Sequence, residues 1–156
     1  YEEVLARFRS LINAGRLSVS IVRGRMVINL PQDILFSSGS ATLGSNGRET
    51  LTQIALVLSE FDDRRFQVEG HTDDDPISTA QFPSNWELST ARALNVVHLM
   101  IKEGVAAENV SAAGFGEFHP RAHNERKEGR ALNRRIEIIM LPNLEILSNE
   151  LPKVVE

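Results

Sequence analysis

A chain of 156 residues, 42% of them hydrophobic and 24% charged, is long and apolar enough for one domain with its own core. Its net charge of −4, with both signs interspersed, weighs against nonspecific nucleic-acid binding, which needs a basic face. No apolar run reaches the length of a membrane span, so no direct membrane contact is expected, and the lack of cysteine fits an extracytoplasmic protein built without disulfides.

From the N-terminus, Val4, Leu5, Phe8, Leu11 and Ile12 recur at helical spacing and predict a helix from Tyr1 to Ala14, stopped by Gly15. The chain opens at Tyr1 in what reads as mid-helix. This predicts a fragment whose targeting or membrane segment lies upstream, with residues 1–16 as the linker to it. Leu17, Val19 and Ile21 alternate, as do Met26, Ile28 and Leu30; the "RGR" between them predicts a hairpin. "LFSSGSATLGSNG" reads as a polar loop holding two apolar residues, Phe36 and Leu43. Leu51, Ile54, Ala55, Leu58 and Phe61 then form the core face of a helix over 46–61, and residues 66–70 a strand. A second long helix runs from Ser84 to about Glu103, followed by a short strand in "NVSAAGFG". "EFHPRAHNERKEGRALN" reads as a long polar loop, and 133–141 as the last strand, with Ile136 and Ile138 alternating about Glu137. The tail, 143–156, shows no period and reads as a peripheral extension.

The order β-β-α-β-α-β-β predicts an α/β fold over residues 17–142. Residues 66–70 and 133–141 should be neighbouring strands of one mixed sheet. Helices 46–61 and 84–103 should pack on the same face of it, with the N-terminal helix as an addition.

The stretch "GHTDDDPISTAQFPSNWELSTARA" concentrates the chemistry. Ser84 and Glu87 form an S-x-x-E capping box. With Ser84 as the cap, Asn85, Leu88, Ser89 and Arg92 share one helix face. Arg92 falls in the first turns, where the helix dipole favours anions, so a carboxylate partner is expected. Two readings stay open. Arg92 closes a salt bridge to Asp73, Asp74 or Glu87; or Asp73 and Arg92 flank a zwitterion, Asp73 taking its ammonium and Arg92 its carboxylate, helped by amides at the helix start. A metal-dependent hydrolase built on His71, Asp73 and Asp74 is the alternative, with Asp75 and the His119/His123 pair as further ligands, although Pro120 interrupts that pair. The basic residues from Arg121 to Arg135 are diluted by Glu125, Glu128 and Glu137 and read as a solvated charged loop. Trp86 is expected to pack on the preceding loop, near Phe82.

"LFSSGSATL", "VEGHTDD", "NWELSTARA", "GFGE" and "GRALNRRIEI" resemble, in order, the motifs of the OmpA-like peptidoglycan-binding domain, across about residues 30 to 140. The resemblance implies that family's β-α-β-α-β-β core, with two helices on one face of a mixed sheet. It implies noncovalent binding of the diaminopimelate-containing stem peptide of the cell wall, with no enzymatic activity, metal or cofactor. Carried over by motif, the ligand-binding residues are Asp73 and Arg92 as the clamp, Phe36 lining the pocket, Thr72 beside the acid, Asn85 and Leu88 on the helix, and Asn133 and Arg134 closing the far side. The loop "DDPISTAQFPSNWELS" is similar to the branch containing wall-anchoring subunits of flagellar stators. That branch implies a periplasmic location in a Gram-negative cell, an upstream membrane tether, a homodimer and a membrane-embedded ion-channel subunit as partner.

Overall fold

The computed structural model describes residues 2–142; the predicted extension at 143–156 lies outside the described residues. Five strands form one sheet in the order β1-β2-β5-β3-β4. The strands are β1 (Ser18–Val22), β2 (Arg25–Pro31), β3 (Phe66–His71), β4 (Val110–Gly114) and β5 (Arg135–Met140). The helices are α1 (Glu2–Asn13), α2 (Gln32–Leu35), α3 (Ser45–Leu58), α4 (Asn85–Lys102) and α5 (Lys127–Asn133). The expected neighbours β3 and β5 pair antiparallel, whereas β3 and β4 pair parallel, as a strand–helix–strand crossover through α4 requires.

Strand alternation gives the sheet two unlike faces. On one face, register lines up Met26, Met140 and Phe66 in one row and Ile28, Ile138 and Val68 in the next. All six are at most 1% exposed. Leu51, Ile54 and Leu58 of α3 and Ala93, Val96 and Met100 of α4 complete this core, so both helices lie on the same face, as expected. The N-terminal helix joins them: Val4, Phe8 and Leu11 are buried in the same cluster, and Arg7 pairs with Glu60 just beyond α3. The hairpin turn is the two-residue Arg23-Gly24, both with positive φ (53° and 76°), which matches the twist of the strands it joins.

The third core row, Leu30, Ile136, Gly70 and Gly114, ends in two glycines. A Cβ at Gly70 would lie 2.2 Å from the Ser89 carbonyl oxygen, and one at Gly114 would lie 2.7 Å from the Thr90 amide nitrogen. The first turns of α4 therefore rest directly on strand backbone, which only glycine permits.

Three local expectations differ. The loop after β4 contains a helix, α5, which has no apolar spacing to reveal it; Gly129 packs on the His123 backbone, and a Cβ there would meet its carbonyl oxygen at 1.8 Å. The four-residue α2 is too short for a period. Trp86 does not pack on Phe82, which is buried with Ala41 and Leu88; it stacks on Phe118, ring centroids 5.1 Å apart.

Asn133 holds the loop before α5. Its Oδ1 accepts from the amides of Arg121 (2.7 Å) and Ala122 (2.9 Å), and its Nδ2 donates to the Ala122 carbonyl (2.9 Å) and Asn124 Oδ1 (2.8 Å). Asn133→Ala strands these partners in a buried setting and is expected to cost about 3 kcal/mol in a denaturant titration. Gly70→Ala forces α4 off the sheet and is expected to cost about 3 kcal/mol, a fall in Tm on the order of 10 °C. An unchanged melting curve for Gly70→Ala would mean that α4 does not approach β3 this closely.

Candidate functional site

Thr72 and Asp73 follow directly on β3, and Asn85, Leu88 and Arg92 come from one face of α4, as their spacing predicts. The glycine contact brings these two groups together. They line a cavity of about 730 Å³ whose other wall is α2 and the loop after it, contributing Asp33, Phe36 and Ser37. Arg134, at the end of α5, closes one side.

The helix start is capped as predicted. Ser84 Oγ accepts from the Trp86 amide (3.2 Å) and donates to Glu87, which removes Glu87 as a partner for Arg92. The Trp86 amide is thereby occupied, leaving the guanidinium as the main anion donor at this end.

Arg92 is 3% exposed, yet among the described residues no carboxylate pairs with it. Its Nε donates to the Ser40 carbonyl (2.8 Å) and its Nη2 to the Ser37 carbonyl (3.4 Å), and Cζ lies 5.3 Å from the centre of the Phe36 ring. The expected carboxylate partner is thus replaced by backbone oxygens and an aromatic face. Nη1 has no hydrogen-bond partner among the described residues, so donors remain for a ligand. Burial pushes the Arg92 guanidinium down to about 10, against the pull of Asp33 and Asp73, so it is charged at neutral pH.

Asp73 is 7% exposed and takes a different partner. Its Oδ2 accepts from Arg134 Nη1 (2.7 Å) and its Oδ1 from the Asp75 amide (3.1 Å). Arg134 in turn forms a two-bond fork on Asp33 (Nε 3.1 Å, Nη2 2.9 Å). The Asp33 hydrogen bonds are the first cause that raises the Arg134 pKa, against burial, with Asp73 adding to the rise. Two cations and the carboxylates of Asp33, Asp73 and Asp75 therefore face one cavity without an Arg92–Asp73 bond closing it. Asp33 escaped the sequence reading: it sits 101 residues before its partner Arg134, in a helix too short to see.

The remaining candidates divide. Phe36 and Leu88, 4% and 5% exposed, give the cavity an apolar wall. Thr72 turns its hydroxyl onto the Asp73 carbonyl (2.8 Å), and Asn85 Nδ2 holds the Asp75 carbonyl (3.0 Å), so both fix the acid loop. Asn133 is a correction. Fully buried, with its side chain spent on the loop at 121–124, it does not line the cavity; its neighbour Arg134 does, because the two point in opposite directions where α5 ends.

The metal alternative fails on geometry. His71, at the end of β3, has its Nε2 3.1 Å from Glu69 Oε1 and 4.0 Å from Glu137 Oε2 and does not line the cavity that Asp73 faces, while Asp74 is exposed. Glu69, His71 and Glu137 converge within 4.8 Å, but Arg135 already supplies a cation there, 2.9 Å from Glu137 Oε1. His71 Nδ1 lacks the acceptor that orients a ligating histidine. His119 packs edge-on against Phe115. Of the basic residues, three are internally employed, Arg134 on two aspartates, Arg135 on Glu137 and two carbonyls, and Arg130 on the Asn124 carbonyl, while Arg121, Arg126 and Lys127 are exposed.

The family model of the OmpA family matches residues 35–134, which contain all of the cavity's helix and strand ends except α2's first three residues. The Bacillus subtilis motility protein B is 35% identical over 136 residues, covering 86% of this chain and 52% of its own length. The chain thus spans about half the length of that relative. Among solved structures, the cell wall anchor of the type VI secretion system from Pseudomonas aeruginosa is 36% identical, with a TM-score of 0.82 over 88% of this chain and 96% of that one. The periplasmic domain of Helicobacter pylori MotB is 26% identical, with a TM-score of 0.75 over 88% and 91%. The mixed five-stranded sheet and its helices match these domains along most of their length, and with the family match across the site this chain belongs to the OmpA family.

Proposed function

We propose that this domain binds cell-wall peptidoglycan noncovalently by holding the zwitterionic carbon of a diaminopimelate stem peptide between Arg92 and Asp73. The observation that carries the proposal is Arg92: a buried, charged guanidinium on a cavity wall that is held, among the described residues, only by carbonyls and a ring, with a donor edge left over. Burying a charge without a counter-ion is costly, and a ligand carboxylate removes that cost. Asp73 keeps lone pairs beyond its bonds to Arg134 and Asp75, so it can accept an ammonium as well. Phe36 and Leu88 suit the methylene chain between the two ends of diaminopimelate.

The reading is one of binding without catalysis, and it requires no nucleophile, general base, metal or cofactor. The type VI wall anchor supports an anchoring role, in which the domain holds a larger assembly to the wall from within the cell envelope. The motility protein relatives extend the same proposal to an upstream membrane tether, a second copy of the chain and a membrane-embedded ion-channel subunit.

Arg92 also anchors the loop from Ser37 to Ser40, so conservative variants test the clamp best. Arg92→Lys places a point charge where a fork is needed, and Asp73→Asn removes the ammonium's counter-charge at constant volume. Losing one partner of a desolvated charge pair costs about 2–5 kcal/mol, and the open cavity favours the lower half. Each variant is therefore expected to weaken binding to isolated sacculi at least tenfold in a pull-down titration, with Tm lowered by only a few degrees. Undiminished binding by both variants would overturn the clamp.

Soluble stem peptide gives a second check. It should compete wild-type protein off sacculi, and the same peptide with its diaminopimelate amine acetylated should compete more than tenfold less well, since acetylation removes the charge that Asp73 receives. Equal competition by the two peptides would show that Asp73 takes no ammonium.

A further inference from the structure

Among the described residues, Trp86 and Phe118 are the only aromatic side chains that are mainly exposed, at 50% and 58%. They are stacked on each other, with planes 25° apart. Both rings lie over Gly116: a Cβ there would sit 3.6 Å from Trp86 Cδ2 and 3.5 Å from Phe118 Cδ2. Gly116 has a φ of +60° and is itself tied down, its amide donating to Ser89 Oγ (3.0 Å) and its carbonyl accepting from the Thr72 amide (2.9 Å). The pair is thus a fixed apolar platform and not two loose side chains.

Its position is continuous with the cavity. Thr72, bonded to Gly116, lines the cavity, and Asn85, the residue before Trp86, lines it too. The cavity and the platform lie on either side of the start of α4.

We infer that the Trp86–Phe118 pair is a second subsite, which receives the pyranose face of the wall's amino-sugar glycan strand while the cavity receives the stem peptide. The inference rests on the wall-binding proposal for the source of the sugar. Two arguments favour a sugar over a protein partner or a membrane. A pair of half-exposed rings offers on the order of 200 Å², far below the roughly 800 Å² per partner of a stable protein interface. The flanking Glu87 and Glu117 are acidic and disfavour an anionic lipid surface. A sugar ring presents a flat patch of C–H groups of about one aromatic ring's area, with hydroxyls at its rim, so the ring face that the stacked pair leaves uncovered fits one pyranose. Because glycan and stem peptide are covalently joined, engaging both converts the second contact into an intramolecular one.

Trp86 is the chain's single tryptophan, so its emission reports on the platform alone. Titration with peptide-free glycan strands, prepared by amidase digestion of sacculi, is expected to give a saturable change in emission in wild type and equally in Asp73→Asn. Phe118→Ala should weaken that response about five- to tenfold, and Phe118→Tyr should restore it. Free stem peptide should bind Phe118→Ala and wild type with equal affinity in a direct titration, because Phe118 does not line the cavity. With intact sacculi, Phe118→Ala should bind about five- to tenfold more weakly at an unchanged Tm. No emission change in wild type with glycan strands, or sacculus binding untouched by Phe118→Ala, would overturn the subsite. Self-association of wild type that Phe118→Ala abolishes in sedimentation would also overturn it, assigning the platform to a second copy. Should wild type fail to bind stem peptide while its emission still saturates with glycan, the clamp fails and the platform stands.

Discussion

The site depends on one steric constraint, the contact of α4 with the strand backbone at Gly70 and Gly114. Any side chain at these two positions would lift the helix by the width of a methyl group or more. With the helix seated, Asn85, Leu88 and Arg92 stand beside Thr72 and Asp73, and Ser89 reaches the Gly116 amide. The same contact is what brings the cavity and the exposed aromatic pair to adjoining positions at the start of α4. A backbone-to-backbone approach cannot be adjusted by changing rotamers, so it fixes position more firmly than side-chain packing does.

Charge is distributed over that frame unevenly. Arg134 is saturated by Asp33 and Asp73, forming a string of ion pairs that joins α2, the β3 end and the α5 end. Arg92 is more deeply buried and, among the described residues, has no carboxylate partner. A chain under selection for stability alone would pair its buried guanidinium, because an unpaired buried charge costs more than a paired one gains. The asymmetry is therefore expected of a receptor whose counter-ion is the ligand. On the other sheet face, Glu69, His71, Arg135 and Glu137 pair charge with charge, although His71 Nδ1 is left without a partner, and that paired arrangement contrasts with the open one around Arg92.

Much of the fold was legible because it is local. Period-2 alternation in Met26–Leu30 and Ile136–Ile138, helical spacing in Leu51–Leu58, the hairpin at "RGR" and the Ser84–Glu87 cap each depend on residues within a few positions of one another. The face shared by Asn85, Leu88 and Arg92 follows from helix geometry alone, and so did the nearness of Asp73 once a strand and a capped helix were placed on either side of it. Short helices were not legible: four residues in α2 and a glycine-containing seven in α5 hold too few apolar positions to display a period.

What the sequence determined, then, was the order of the elements, which side chains share a face, and which residues could form a clamp. Only tertiary structure decided the partners. Arg92 meets carbonyls 52 and 55 residues away, and Arg134 meets an aspartate 101 residues away. Asn133 and Arg134 are adjacent in sequence, yet one is spent on the fold and the other faces the cavity. Backbone carbonyls are present at every residue and carry no sequence signature, so a guanidinium held by them looks in sequence like one awaiting an acid. The direction of a side chain at a helix end is set by what packs beneath it, and that is known only when the chain has closed on itself.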